Sequence, residues 1–156
     1  MSGRIYLDYN ATAPARIETR EAVTHALSLR GNPSSVHEEG RNVRALVEAA
    51  REKVAALVGA ESSNVIFTSG GTEANVTALS PLNVNPDAPD GVVCFMSEIE
   101  HPSVLARGRF EAHAIRLIGA TTDGLIDAAA LERAITAHCA TAGAASFMVS
   151  LMRANN

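Results

Sequence analysis

From Val65 onward, short apolar runs alternate with stretches of helical period, and this alternation limits the possible folds more than any other feature of the chain. Residues 65–68, 91–96, 115–118 and 147–152 read as strands, and residues 72–79, 102–112 and 128–138 read as helices between them. Strands separated by helices of this length pair in parallel through right-handed crossovers, because a two-residue turn cannot return the chain to the same sheet end. The central strands lack polar alternation, as expected where helices cover both faces of a sheet. The fold class is therefore α/β.

Two helices are expected ahead of this region. Residues 18–29 carry Val23, Ala26 and Leu27 at helical spacing and stop before the loop Gly31-Asn32-Pro33-Ser34-Ser35. In residues 37–58, Val43, Leu46, Val47, Ala50, Val54 and Leu57 fall on one stripe, with Arg44, Glu48, Arg51 and Glu52 facing away. Gly59 is a natural stop for that helix.

Composition narrows the function classes. The 156 residues suffice for one domain with a core, and 47% apolar against 19% charged residues is a globular balance rather than a disordered one. The net charge is −4 and the basic residues are scattered, which argues against binding to DNA or to an anionic membrane. No basic segment followed by an apolar run opens the chain, and residues 140–152 are too short to span a bilayer, so a cytoplasmic location is expected. Cys94 and Cys139 are too few for a disulfide framework, and each reads as a small buried hydrophobe. His25, His37, His113 and His138 read as structural or solvent-facing, and no histidine pair has metal-ligand spacing. Lys53 is the single lysine, so chemistry requiring an amine must use it or find its amine elsewhere.

Three places combine polar groups with the ends of strands. In Thr68-Ser69-Gly70-Gly71-Thr72-Glu73-Ala74-Asn75 a strand gives way to a glycine pair and a helix start. Unpaired N–H groups and the helix dipole favour an anion there, and Thr72 adds a hydroxyl, so Gly71 and Thr72 form a candidate phosphate cradle. The alternative is an ordinary strand-to-helix turn with Thr72 as its cap. The second place is Glu100-His101-Pro102-Ser103, where His101 is positioned to stack on a flat ligand, to move a proton, or only to pack locally. The third is Asn155-Asn156, whose amides can hold a ligand oxygen or simply form a loop. All three fall where open α/β sheets bind ligands. A chain that stops directly after a buried strand at that edge is expected to be truncated.

These residues, in this order, resemble the cysteine desulfurases, within the fold-type I (aminotransferase-like) pyridoxal-phosphate enzymes. The resemblance runs through Ile5-Tyr6-Leu7-Asp8-Tyr9-Asn10-Ala11-Thr12-Ala13-Pro14, Gly31 to His37, Phe67 to Asn75, Glu100 to Val104, Asp123 to Asp127, and Val149 to Asn156. It implies the N-terminal part of the family's large domain, a mostly parallel sheet with flanking helices, incomplete here. Residues 1–15 would be an N-terminal arm and residues 16–156 the first half of the cofactor domain. Carried over by position, Gly71 and Thr72 would bind the phosphate of pyridoxal 5'-phosphate. His101 would stack on its ring and assist proton transfer, and Asn156 would bond its phenolic oxygen or the substrate carboxylate. Asn10 and Asn32 would lie near the mouth of the site.

The implied reaction takes sulfur from L-cysteine, leaving L-alanine and an enzyme persulfide that a sulfur-acceptor or scaffold protein receives for iron–sulfur cluster or thio-cofactor synthesis. Full-length members are implied to be homodimers. The family's Schiff-base lysine and catalytic cysteine have no counterpart here, so the chain alone is expected to be inactive; Lys53, on a helix flank, reads as a surface residue. The fold also implies that residues 65–68 lack a neighbouring strand in this chain. The alternatives are another class V member, such as a selenocysteine lyase, and a non-catalytic fragment.

Overall fold

The computed structural model describes residues 5–9, 11–142 and 146–153, and divides into two compact units, Met1–Phe67 and Thr68–Asn156. In the first, α1 (Ile17–Ser28) and α2 (Glu38–Val58) form where the apolar spacing predicts them. The His37 imidazole caps α2 by accepting from the Gly40 N–H at 3.4 Å, and Glu38 and Glu39 complement the positive end of the helix dipole. At the other end Gly59 takes a left-handed φ of 68°, and the Ala60 N–H reaches back to the Ala55 carbonyl at 2.9 Å. The loop before α2 is fixed by Gly31. Its φ of 138°, and the Glu39 carbonyl 2.6 Å from where a Cβ would stand, leave no room for a side chain.

The apolar stripe of α2 is real in spacing but largely uncovered, since Leu57, Val54 and Leu46 are exposed and only Ala55 and Gly40 are buried on this helix. Residues 65–68, expected as a strand, are not one. Val65 is extended, but no ladder partner exists among the described residues, and Ile66 and Phe67 are exposed. What holds residues 65–67 is Arg51, read from the sequence as facing away into solvent. Its guanidinium donates to the Val65 carbonyl at 2.5 Å and lies over the Phe67 ring at 4.9 Å from the centroid.

The second unit contains the sheet. Strands β1 (Val93–Ser97), β2 (Ile115–Ile118) and β3 (Phe147–Ser150) lie in the order β2-β1-β3, with both pairings parallel as expected. Register sets Cys94 beside Ile115 and Met148, and Met96 beside Leu117 and Ser150. β1 is buried from Cys94 to Ser97. One face, Cys94 and Met96, packs into a cluster with Leu79, Val92, Val104, Phe110 and Ala114. The opposite face carries Phe95, met edge-on by His138 and Phe147 with centroids 5.8 Å away. At about 25 cal/mol per Å² of apolar area, a fully buried phenylalanine is worth about 1.5–3 kcal/mol, so these residues dominate the unit's stability.

Helices α3 (Gly71–Ala78), α4 (Pro102–Leu105) and α5 (Ala128–Ala142) follow the predicted order. Asp127 starts α5 by accepting from the Ala130 N–H at 2.8 Å. α4 corrects the expected helix over residues 102–112, for it lasts one turn. Arg107 and Gly108 turn to φ 75° and 58°, and the Arg109 N–H then donates to the Leu79 carbonyl at 2.8 Å. A tertiary hydrogen bond to α3's end replaces the next helical one, an outcome that periodicity does not carry. Among the described residues no helix is long and apolar enough to cross a membrane.

Candidate functional site

The C-terminal end of β1 leads within four residues to His101, and β3 runs parallel beside it toward the 151–156 segment. α3 begins with Gly71 and Thr72 in the same unit and packs against α4, which His101 caps, so the contact between these two helices brings the features together.

At the start of α3 the helix is capped by Gly70, so Thr72 is the second helical residue and not the cap. The Glu73 carboxylate folds back to accept from the Ser69 N–H at 2.6 Å, and the hydroxyl and N–H of Ser69 hold its pKa below the usual carboxylate range. That bond leaves the first-turn amides of Gly71, Thr72 and Glu73 without a partner among the described residues. Gly70 is extended, with φ 169°, a conformation open to any residue, and a Cβ on Gly70 or Gly71 would meet nothing within 4 Å. Protein contacts therefore do not require glycine here. Free amides facing open space at a helix's positive end form a surface that accepts an anion.

His101 is exposed and caps α4. Its Nδ1 accepts from the Ser103 N–H at 3.1 Å and lies 2.7 Å from the Ser103 hydroxyl. That hydroxyl oxygen accepts in turn from Asn75 Nδ2 at 2.8 Å, across from α3. A chain of three side chains thus ties the first turns of α3 to the imidazole. The sequence reading included Asn75 and Ser103 only as members of motifs. A bond spanning 28 positions leaves no periodic trace.

Two further groups frame this end of the sheet. Glu100, beside His101, is buried, and its Oε1 has no hydrogen-bond partner among the described residues. Burial pushes its pKa up, opposed by the Met152 N–H that its carboxylate accepts. Inside the sheet, burial and then the charge of Glu100 push the Cys94 thiol up to about 11, which keeps it an inert hydrophobe as expected. Cys139 corrects its reading, because it is exposed rather than buried.

Asn32 lies in the first unit, where its Oδ1 accepts from the Ser34 N–H at 2.9 Å. Asn10 and Asn156 fall outside the described residues. Lys53 is an exposed residue of α2, as expected. His37 is a cap and His138 packs on Phe95, in line with structural roles. Among the described residues no cluster of His, Cys, Asp or Glu has metal-binding geometry.

With this sheet order and the amide-lined helix start beside an exposed imidazole, comparison with known proteins places the molecule in a class. Residues 5–149 match the aminotransferase class-V family model, and the chain belongs to that family. Within it, the chain is similar to the cysteine desulfurase IscS of Dictyoglomus turgidum, 36% identical over 160 residues, covering all of this chain and 39% of that protein. A cysteine desulfurase of Cereibacter sphaeroides is 39% identical over 160 residues, covering 98% of this chain and 39% of its own. A selenocysteine lyase of Bos taurus is 47% identical over 75 residues, 47% of this chain and 17% of the relative. Among solved structures, a NifS-like protein from Rickettsia africae superposes with a TM-score of 0.76 at 31% identity, over 97% of this chain and 40% of that one. The chain thus spans about two-fifths of the length of the cysteine desulfurases it matches.

Proposed function

We propose that this chain supplies part of the active site of a pyridoxal-phosphate-dependent cysteine desulfurase, whose substrate is L-cysteine and whose sulfur leaves through an enzyme persulfide to an acceptor or scaffold protein. Residues 1–15 are its arm, and residues 16–156 are the first half of its cofactor domain. In this reading Gly71 and Thr72 bind the cofactor phosphate through first-turn amides and the Thr72 hydroxyl. His101 stacks on the ring and holds or delivers a proton at its outward nitrogen. Asn156 bonds the phenolic oxygen or the substrate carboxylate. Asn10 and Asn32 line the mouth, Asn32 with its Nδ2 still able to donate.

The observation that carries the reading is the bonded path from Asn75 through Ser103 to His101, which fastens the anion-accepting turn and the imidazole to one another. The free amides and the open space before Gly70 and Gly71 suit a phosphate group. When bound, pyridoxal phosphate supplies the electron sink for breaking bonds at the amino-acid α-carbon. Lys53, exposed on α2, does not suit the amine that holds such a cofactor, which calls for a desolvated or cationic pocket. The completed protein is a cytoplasmic homodimer in this reading.

The test is to co-express the chain with the C-terminal part of the Dictyoglomus turgidum relative, add pyridoxal phosphate, L-cysteine and a thiol reductant that frees persulfide sulfur as sulfide, and measure sulfide. Sulfide is expected from the pair alone, dependent on the cofactor, and reduced about 10²–10⁴-fold by His101→Ala. Sulfide from the isolated chain would overturn the place given to Lys53, and none from the pair would overturn the assignment. The 47% identity to the cattle selenocysteine lyase favours a second reading, tested by replacing L-cysteine with L-selenocysteine in the same assay.

A further inference from the structure

We infer that Asn75 and Ser103 are positioning residues that fix the tautomer of His101, so that the neutral ring presents an N–H donor, and not an acceptor, at its outward nitrogen. The inference deepens the proposed role of His101 and rests on that reading for its functional meaning, though not for its physics.

The argument begins with the one contact whose polarity cannot be reversed. A backbone N–H only donates, and the Ser103 N–H points at His101 Nδ1 at 3.1 Å, so Nδ1 carries a lone pair. A neutral imidazole has one protonated nitrogen, so the proton resides on Nε2. The side chains agree with this assignment in only one arrangement. Asn75 Nδ2 donates to the Ser103 oxygen at 2.8 Å, the serine hydroxyl hydrogen points the other way, and Nδ1 receives it at 2.7 Å. Turning the Asn75 amide over would set its carbonyl oxygen against the serine oxygen and draw the hydroxyl hydrogen away from the ring. Ser103 is 9% exposed, so water competes poorly for these bonds.

The tautomer is therefore set by the Ser103 N–H and reinforced from α3 through the serine hydroxyl, at a His101 that remains exposed and whose Nε2 has no partner among the described residues. Chemically, a neutral His101 meets a ligand with a hydrogen bond to give. It orients an acceptor at Nε2 by hydrogen bonding, since giving that hydrogen away would leave an imidazolate. The ring plane is fixed by the same two bonds to Nδ1, which prepares a flat face for stacking without a further ordering cost.

Asn75→Asp reverses the first donor. A carboxylate only accepts, so it takes the serine hydroxyl hydrogen and turns the serine oxygen into an acceptor facing Nδ1. The experiment is ¹⁵N NMR of the histidine rings in the 156-residue chain, with the His101 signals assigned by their loss in His101→Gln. In the unmodified chain at a pH where the ring is neutral, Nδ1 is expected at the unprotonated, pyridine-type position and Nε2 at the protonated, pyrrole-type position. Asn75→Asp is expected to move Nδ1 further into the unprotonated range, because it loses the serine hydroxyl and keeps only the Ser103 N–H as a donor, and in a Ser103→Ala background the same substitution is expected to move it no further. A pyrrole-type Nδ1 in the unmodified chain overturns the inference with no variant needed. An Asn75→Asp shift that survives loss of the hydroxyl overturns the relay. The readout needs no cofactor: failure of the sulfide assay with the expected tautomer removes the enzyme reading alone, and activity with the opposite tautomer removes the relay alone.

Discussion

Residues 65–67 and strand β1 are both short, β-branched and aromatic, yet they meet opposite environments. In β1, Phe95 is 1% and Met96 0% exposed, with a parallel strand on each side and side chains packed on both faces. In the other stretch, Ile66 is 74% and Phe67 48% exposed, and the backbone bonds to an arginine instead of a strand. Apolar β-forming residues specify that a segment can be a strand, and only a neighbouring strand makes it one. Without a neighbour among the described residues, this stretch is extended at Val65 but contributes little to a core.

If that contrast is correct, substitutions should scale with the environment. Phe95→Ala should cost the most, about 3–5 kcal/mol, because the cavity opens between His138 and Phe147 in rigid surroundings. Urea unfolding would measure it, and a cost near that of an exposed position would break the comparison. Cys94→Ser should follow at about 1–3 kcal/mol, since a hydroxyl replaces a thiol that is fully buried among apolar side chains. Native alkylation followed by mass spectrometry adds a check: Cys139 should react and Cys94 should stay protected.

Glu100, just past β1, sharpens the picture through pH. Its folded pKa is raised above the ordinary 4.5, so the folded chain binds more protons than the unfolded one above that value. Stability is therefore highest below the unfolded pKa and is lost as pH rises from there through the raised folded value. Glu100→Gln should flatten this fall, measured as the urea midpoint across the window that starts at 4.5. The smallest effect belongs to Phe67→Ala, about 1 kcal/mol or less, from the contact with Arg51. A Phe67 cost matching that of Phe95 would show that residues 65–67 are buried after all.

The parts legible from sequence were those that local rules govern. Period and length marked the three strands, α3 and α5, and a glycine in left-handed conformation ended α2 where expected. The glycine pair, His101 and the strand ends stand out because helix starts and strand ends dictate the chemistry available there. What sequence did not disclose depends on distant neighbours. The Leu79 carbonyl bonds just beyond α4, residues 65–67 find no ladder partner among the described residues, and the side chain of Asn75 reaches Ser103. A polar residue one turn into α3 and a serine two positions after His101 are signals that a search for histidine-orienting groups would have picked up.

The brevity of α4 has a mechanical consequence. His101 stands on a single helical turn held at both ends, by Asn75 through Ser103 and by the Leu79 carbonyl through Arg109. Everything after Phe110 in that connection is mechanically downstream of the second tether. A change of length between Phe110 and Ala114 is therefore expected to leave the imidazole in place, whereas a single residue inserted between Leu105 and Arg109 is expected to drag it out of alignment.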